Sequence, residues 1–197
     1  MQMQPPALTE PGKLPAGEYT TANFYPGGLT VTLDDRWSSH EDSTGEFALD
    51  VGDAGIVFWL DMSPVTWDGK PVTGVANTPN AVSDWLHGVR ELEVTPAQQT
   101  TIGQDKLPAL VMDIALADDA PNGDPGCPTR ACAAIFTFPE FSEPWAMSSD
   151  MTTRLYLAQI GDGPHMLYVV YNVIDAEMFA PTAQPVVDSI KLSTTLD

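Results

Sequence analysis

Thr153-Arg154-Leu155-Tyr156-Leu157-Ala158-Gln159-Ile160, then Gly161-Asp162-Gly163-Pro164, then His165 to Val173: this stretch decides the fold. Two runs rich in β-branched and aromatic residues flank a Gly/Pro turn, which is how a β-hairpin is written in sequence. Working outward, the same grammar recurs. Leu29-Thr30-Val31-Thr32-Leu33 and Glu46-Phe47-Ala48-Leu49-Asp50-Val51 alternate apolar and polar residues, as half-buried strands do. Gly55 to Met62 is a continuous apolar run, suited to a central strand covered on both faces. Tyr19–Tyr25, Leu92–Val94, Gln98–Ile102, Ala109–Leu116 and Ala133–Phe138 read as further strands.

Helical periodicity interrupts this pattern twice. Thr78 can cap, Pro79 suits the first helical position, and Val82, Trp85, Leu86 and Val89 fall at i, i+3, i+4 and i+7. A second segment begins near Asp175 and presents Val186, Val187 and Ile190; Pro181 and Pro185 should kink it, since each lacks a backbone donor. Sequential hairpins imply an antiparallel sheet, and two helices with single apolar faces must cover it. The expected class is α+β. Residues 1–16 carry Pro5, Pro6, Pro11 and Pro15 and read as a tail or linker, 17–192 as a single domain, and 193–197 as a C-terminal tail.

Composition bounds the function. The chain has 197 residues, 43% of them apolar, enough for one domain with a sizeable core. Eight Lys and Arg against 27 Asp and Glu leave a formal charge of −19, which repels nucleic acid and anionic lipid. The N-terminus, Met1-Gln2-Met3-Gln4-Pro5-Pro6, is not a signal peptide, and no apolar stretch is long enough to span a membrane.

The two cysteines, Cys127 and Cys132, lie five residues apart. A redox motif would be spaced Cys-x-x-Cys, and a zinc site would need two more ligands from His40, His87 and His165, which show no pairing. The spacing favours a disulfide over both, and with it an extracytoplasmic compartment and removal of an upstream signal.

Several phrases resemble a family of secreted bacterial proteins and lipoproteins with a PsbP-like fold. They are Pro15-Ala16-Gly17-Glu18-Tyr19-Thr20-Thr21, Leu29 to Trp37, Trp85-Leu86, Thr100 to Ala109, and Ala183-Gln184-Pro185-Val186-Val187-Asp188-Ser189-Ile190. Arg36 and Gln104 depart from it, each standing where the family usually has glycine. The resemblance implies an extracytoplasmic α/β sandwich, often lipid-anchored, acting in binding or assembly. It carries no catalytic residue.

Catalytic signatures are sparse. There is no Gly-x-Ser-x-Gly elbow, and His40-Glu41, read as part of a polar loop with Asp42, lacks the second histidine of a zinc motif. Asp118, Asp119, Asn122 and Asp124 form an oxygen-rich loop that could take calcium weakly, although the EF-hand order is absent. Trp67 and Trp145 fall in polar, proline-containing loops, where a tryptophan marks a candidate ligand surface. The leading expectation is a non-catalytic, monomeric binding domain for a protein, a wall component or a small ligand, with no resident cofactor. The rivals are a hydrolase built on His40 or His165 with an Asp, and an accessory subunit docking through its edge strand or loops.

Overall fold

A computed structural model describes residues 7–8, 11–24, 28–123, 127, 129–138, 144–173 and 176–193, with the backbone alone for 7–8, 172–173 and 176–178. In chain order the elements are β1 (Ala7–Leu8), β2 (Gly12–Lys13), β3 (Gly17–Thr21), β4 (Leu29–Leu33), β5 (Ser38–Asp42), β6 (Glu46–Val51), β7 (Ala54–Leu60), β8 (Ser63–Pro64) and α1 (Pro79–Gly88). There follow β9 (Leu92–Val94), β10 (Gln98–Ile102), β11 (Leu107–Leu116), β12 (Cys132–Thr137), β13 (Trp145–Ser148), β14 (Thr152–Gln159), β15 (Met166–Val173), α2 (Ala176–Ser189) and β16 (Lys191–Leu192).

The hairpin read from sequence is the centre of the main sheet. β14 pairs β15 antiparallel from Thr152↔Val173 to Gln159↔Met166. The sheet runs β10-β11-β14-β15-β7-β6-β5-β2, and β9 continues the β10 edge along β11. Its central strands are covered on both faces, and Met166–Tyr171 of β15 shows why both sides of such a strand are apolar or aromatic. Met166, Tyr168 and Val170 enter one core cluster while Leu167, Val169 and Tyr171 enter the other, all with no exposed surface. Burying each such side chain contributes about 1.5–3 kcal/mol.

The two helices lie on opposite faces, and a small sheet completes the cover on each side. With α2 goes the sheet β1-β3-β4-β16, which supplies Tyr19, Leu29, Val31 and Leu33 beside Ala183, Val186, Val187 and Ile190. With α1 goes β13-β12-β8, which supplies Ile135, Phe136 and Met147 beside Val82 and Leu86. The α+β class is therefore observed, but helices alone do not cover the sheet.

Local chemistry explains the boundaries. The Thr78 hydroxyl accepts from the Ala81 N–H at 3.4 Å, with Pro79 opening α1. Of its expected face, Val82 and Leu86 are buried and Trp85 and Val89 half-buried. α2 contains both Pro181 and Pro185, and the packing of Ala183, Val186, Val187 and Ile190 carries the helix through them. Its expected cap, Asp175, lies outside the described residues. The end of α2 is tied to the β10–β11 turn: Gly103 N–H donates to the Val187 carbonyl and Gln104 N–H to that of Ile190. Gly103 sits at φ +71°, and a Cβ there would meet the Ile190 oxygen at 2.5 Å, so glycine is required. Neither Gln104 nor Arg36 is at positive φ, so neither position requires glycine.

Four expectations need correction. The strand expected over Tyr19–Tyr25 ends at Thr21, because the Asp42 carboxylate accepts the backbone N–H groups of Ala22, Asn23 and Phe24 and turns the chain. His40 is in β5 rather than a polar loop, and Trp145 begins β13 rather than lying in one. The segment before residue 17 is partly built into the domain: Gly12–Lys13 pairs with β5, and Leu14 is buried.

Glu46 gives a pH prediction. Burial at the start of β6, opposite Trp59 of β7, is the main cause that raises its carboxyl pKa. A raised carboxylate costs stability above its folded pKa and relieves that cost on protonation. Glu46→Gln should therefore be more stable than the parent at pH 7. The difference should close as pH falls from the folded Glu46 range through the ordinary glutamate range, which denaturant melts at several pH values measure.

Candidate functional site

Trp67 stands on a tight hairpin. Val65 bridges Pro71, Thr66 N–H donates to Lys70 O at 2.7 Å, and Gly69 N–H donates to Thr66 O at 2.7 Å. Its indole is held from behind, since Nε1 donates to the Pro121 carbonyl at 2.9 Å. Gly123 lies so close that a Cβ there would meet the Trp67 carbonyl oxygen at 2.7 Å and the ring at 3.0 Å. Loop 121–123 is itself anchored: Cys132 N–H donates to Asn122 Oδ1 and Gly123 N–H to Cys132 O.

Cys132 also closes the expected disulfide to Cys127. A ring this small contributes about 2 kcal/mol in the loop-entropy account. The disulfide thus ends on the residue that braces the Trp67 support.

A cleft of about 390 Å³ opens beside Trp67. Its walls are Trp67 and Trp85, its apolar lining includes Val65, Val72, Val89 and Ile135, and its charged residues are Arg90 and Glu91. The Trp85 ring packs on Phe136 at 5.5 Å, so both indoles rest on a fixed backing. Arg90 is exposed and makes no hydrogen bond or ion pair with another described residue. Two half-buried aromatic walls, a compact apolar floor and an uncommitted guanidinium suit a small apolar or planar group.

Trp145 is not part of this cleft. It is half-buried against Trp59 at 5.3 Å and Phe136 at 6.1 Å, so it extends the core rather than facing Trp67. The oxygen-rich loop is also dispersed. Asp118 and Asp119 are exposed, Asn122 uses its carbonyl oxygen on Cys132, and Asp124 lies outside the described residues. Among the described residues, no group of three or more His, Cys, Asp or Glu could hold a metal.

Of the histidines, His40 meets Asp50 at 3.2 Å on the exposed β5–β6 surface. His165 Nδ1 lies 2.6 Å from Asp61 Oδ2. Asp61 is held at φ +52° just after β7, and its Oδ1 accepts from Met166 N–H at 2.8 Å and Asn77 Nδ2 at 2.8 Å. The Tyr168 hydroxyl donates to the Met62 carbonyl at 3.0 Å beside this knot. The cluster joins the end of β7, the β14–β15 turn and the approach to α1. An oriented Asp–His pair is half of a general-base apparatus.

A larger groove of about 480 Å³ runs between β4 and α2 over Trp37. Its two carboxylates are committed, Asp34 to Arg36 and Asp188 to Gln184.

No family model and no curated protein matches the chain. A solved structure from Bacteroides thetaiotaomicron resembles it with a TM-score of 0.45 and 11% identity, over 86% of this chain and 46% of that one. The chain thus spans about half the length of that neighbour.

Sequence reasoning placed Trp85 in the core and missed its second role as a cleft wall. The signal was present: Trp85 lies at the border of the α1 apolar stripe, one turn before Val89, where an indole is too wide to be covered completely. Asp61 was hidden inside an apolar run, with nothing local to mark its positive φ or its distant partner His165.

Proposed function

We propose that this chain is a non-catalytic binding domain acting outside the cytoplasm, with the Trp67–Trp85 cleft as its ligand site. The carrying observation is that cleft: two indoles, each held from behind, facing an apolar cavity large enough for a small ligand. Preorganised walls lower the ordering cost of binding. The disulfide supports an oxidising compartment. No described helix is long and apolar enough to cross a membrane. The PsbP-like assignment belongs to the same proposal, supported by an antiparallel sheet covered on both faces and by the phrases at 15–21, 29–37 and 183–190.

The test uses chain labelled with 5-fluorotryptophan, whose five resonances report each indole separately. Titration with indole and a panel of apolar fragments should shift the Trp67 and Trp85 resonances together and saturably, leaving buried Trp37 unmoved. Trp67→Ala should weaken that binding about tenfold or more. A panel that leaves both resonances in place overturns the reading.

The Asp61–His165 contact favours a second reading, a hydrolase. Turnover of ester or peptide substrates that disappears in His165→Ala, in protein that still folds, would establish it in place of the first.

A further inference from the structure

The face of the main sheet that carries α2 holds a second concavity, of about 340 Å³, lined by residues of β10, β11 and β14 and by Gln184 of α2. Strand register puts its side chains together. Gln98 pairs with Val111 and Val111 with Tyr156, while Asp113 pairs with Arg154, so these residues share one face of β10, β11 and β14. Thr100 and, from α2, Gln184 complete the polar lining.

We propose that this cleft binds a neutral, hydroxyl-rich ligand: a saccharide. Arg154 and Asp113 form a two-bond fork at 2.7 and 2.8 Å, with both side chains about one-fifth exposed, so the floor is polar yet carries no net charge. An anion would meet Asp113 within a protein of charge −19, and a cation would meet Arg154. A ligand that both donates and accepts meets neither penalty.

The hydrogen-bond inventory points the same way. Arg154 spends Nε and Nη2 on Asp113 and keeps Nη1. The Gln98 amide and the Thr100 hydroxyl make no hydrogen bond with another described residue. Tyr156 donates to Gln184 Oε1 at 2.9 Å, which fixes both at the wall. Planar amide, guanidinium and carboxylate groups at this spacing are donors and acceptors for adjacent hydroxyls. This site lies on the face opposite Trp67 and is independent of that cleft.

The experiment records ¹H–¹⁵N spectra of the whole chain with maltotriose, cellotriose and chitotriose. Each is taken to about 10 mM, above the millimolar affinity expected of a few exposed hydrogen bonds. The expected result is saturable movement of the Gln98 and Gln184 side-chain amides and of Arg154 Nε–H with at least one sugar. Gln98→Ala with Thr100→Val should weaken it about tenfold without changing the thermal midpoint. The inference is overturned if none of the sugars moves these signals, if trigalacturonate moves them more strongly than any neutral sugar, or if an extended tetrapeptide moves them while the sugars do not. Sugar-induced shifts confined to the Trp67 and Trp85 indoles also overturn it, while supporting the other cleft as a ligand site.

Discussion

Phe136→Ala should destabilise the protein by about 3–5 kcal/mol, the range for deleting a fully buried phenylalanine ring. Phe136 has no exposed surface and lies between Trp85 at 5.5 Å, Tyr168 at 5.4 Å and Trp145 at 6.1 Å. These three rings come from α1, from β15 at the sheet centre and from β13, so none can collapse into the vacancy without moving its own element. In a domain of this size the thermal midpoint should fall by about 10 °C or more. Because Phe136 backs Trp85, the same variant should loosen one wall of the cleft. Phe136→Leu retains much of the volume and should recover more than half of the loss. A chemical melt of the three proteins checks the order. An alanine variant within about 1 kcal/mol of the parent would mean the aromatic cluster is not packed as described.

Asp61→Ala should cost about 2–4 kcal/mol, for a different reason. Nothing apolar is lost there. The carboxylate accepts from Met166 N–H, Asn77 Nδ2 and His165 Nδ1, and its removal leaves those donors to find water in a half-buried corner. The residue also holds φ +52°, a region that Asp and Asn tolerate better than Ala. Asp61→Asn keeps the backbone preference and one acceptor oxygen, so it should cost about half as much. Hydrogen exchange of the Met166 amide gives the local readout: faster exchange in Asp61→Ala than in Asp61→Asn. Equal exchange in both would show that the carboxylate does not hold the β14–β15 turn.

These two sites show where sequence was legible. Phe136 falls in a run rich in apolar residues, and its burial follows from that run alone. Its neighbours do not, because Trp85, Tyr168 and Trp145 lie 51, 32 and 9 positions away in sequence. Trp145 illustrates the limit. A tryptophan in a stretch with Pro139 and Pro144 reads as a loop residue, yet β12 recruits it as a strand partner at Phe136↔Trp145. Strand pairing at a sheet edge depends on the partner, and β13 is only four residues long. His40 follows the same rule: Ser38 to Asp42 has no apolar alternation, and β6 supplies the pairing that makes it a strand.

By itself, then, the sequence determined the elements whose signal is local. The hairpin of β14 and β15, the doubly buried β7, the Thr78–Pro79 start of α1 and the short cystine loop are all written in neighbouring residues, through periodicity, turn chemistry and spacing. The tertiary structure alone decided which face each helix covers, that small sheets finish the cover, and that Trp67 faces Trp85 rather than Trp145. It also decided that Asp61 reaches His165 across 104 positions. Those outcomes rest on contacts between distant segments, whose free energy depends on how whole faces fit together rather than on the residues beside each one in the chain.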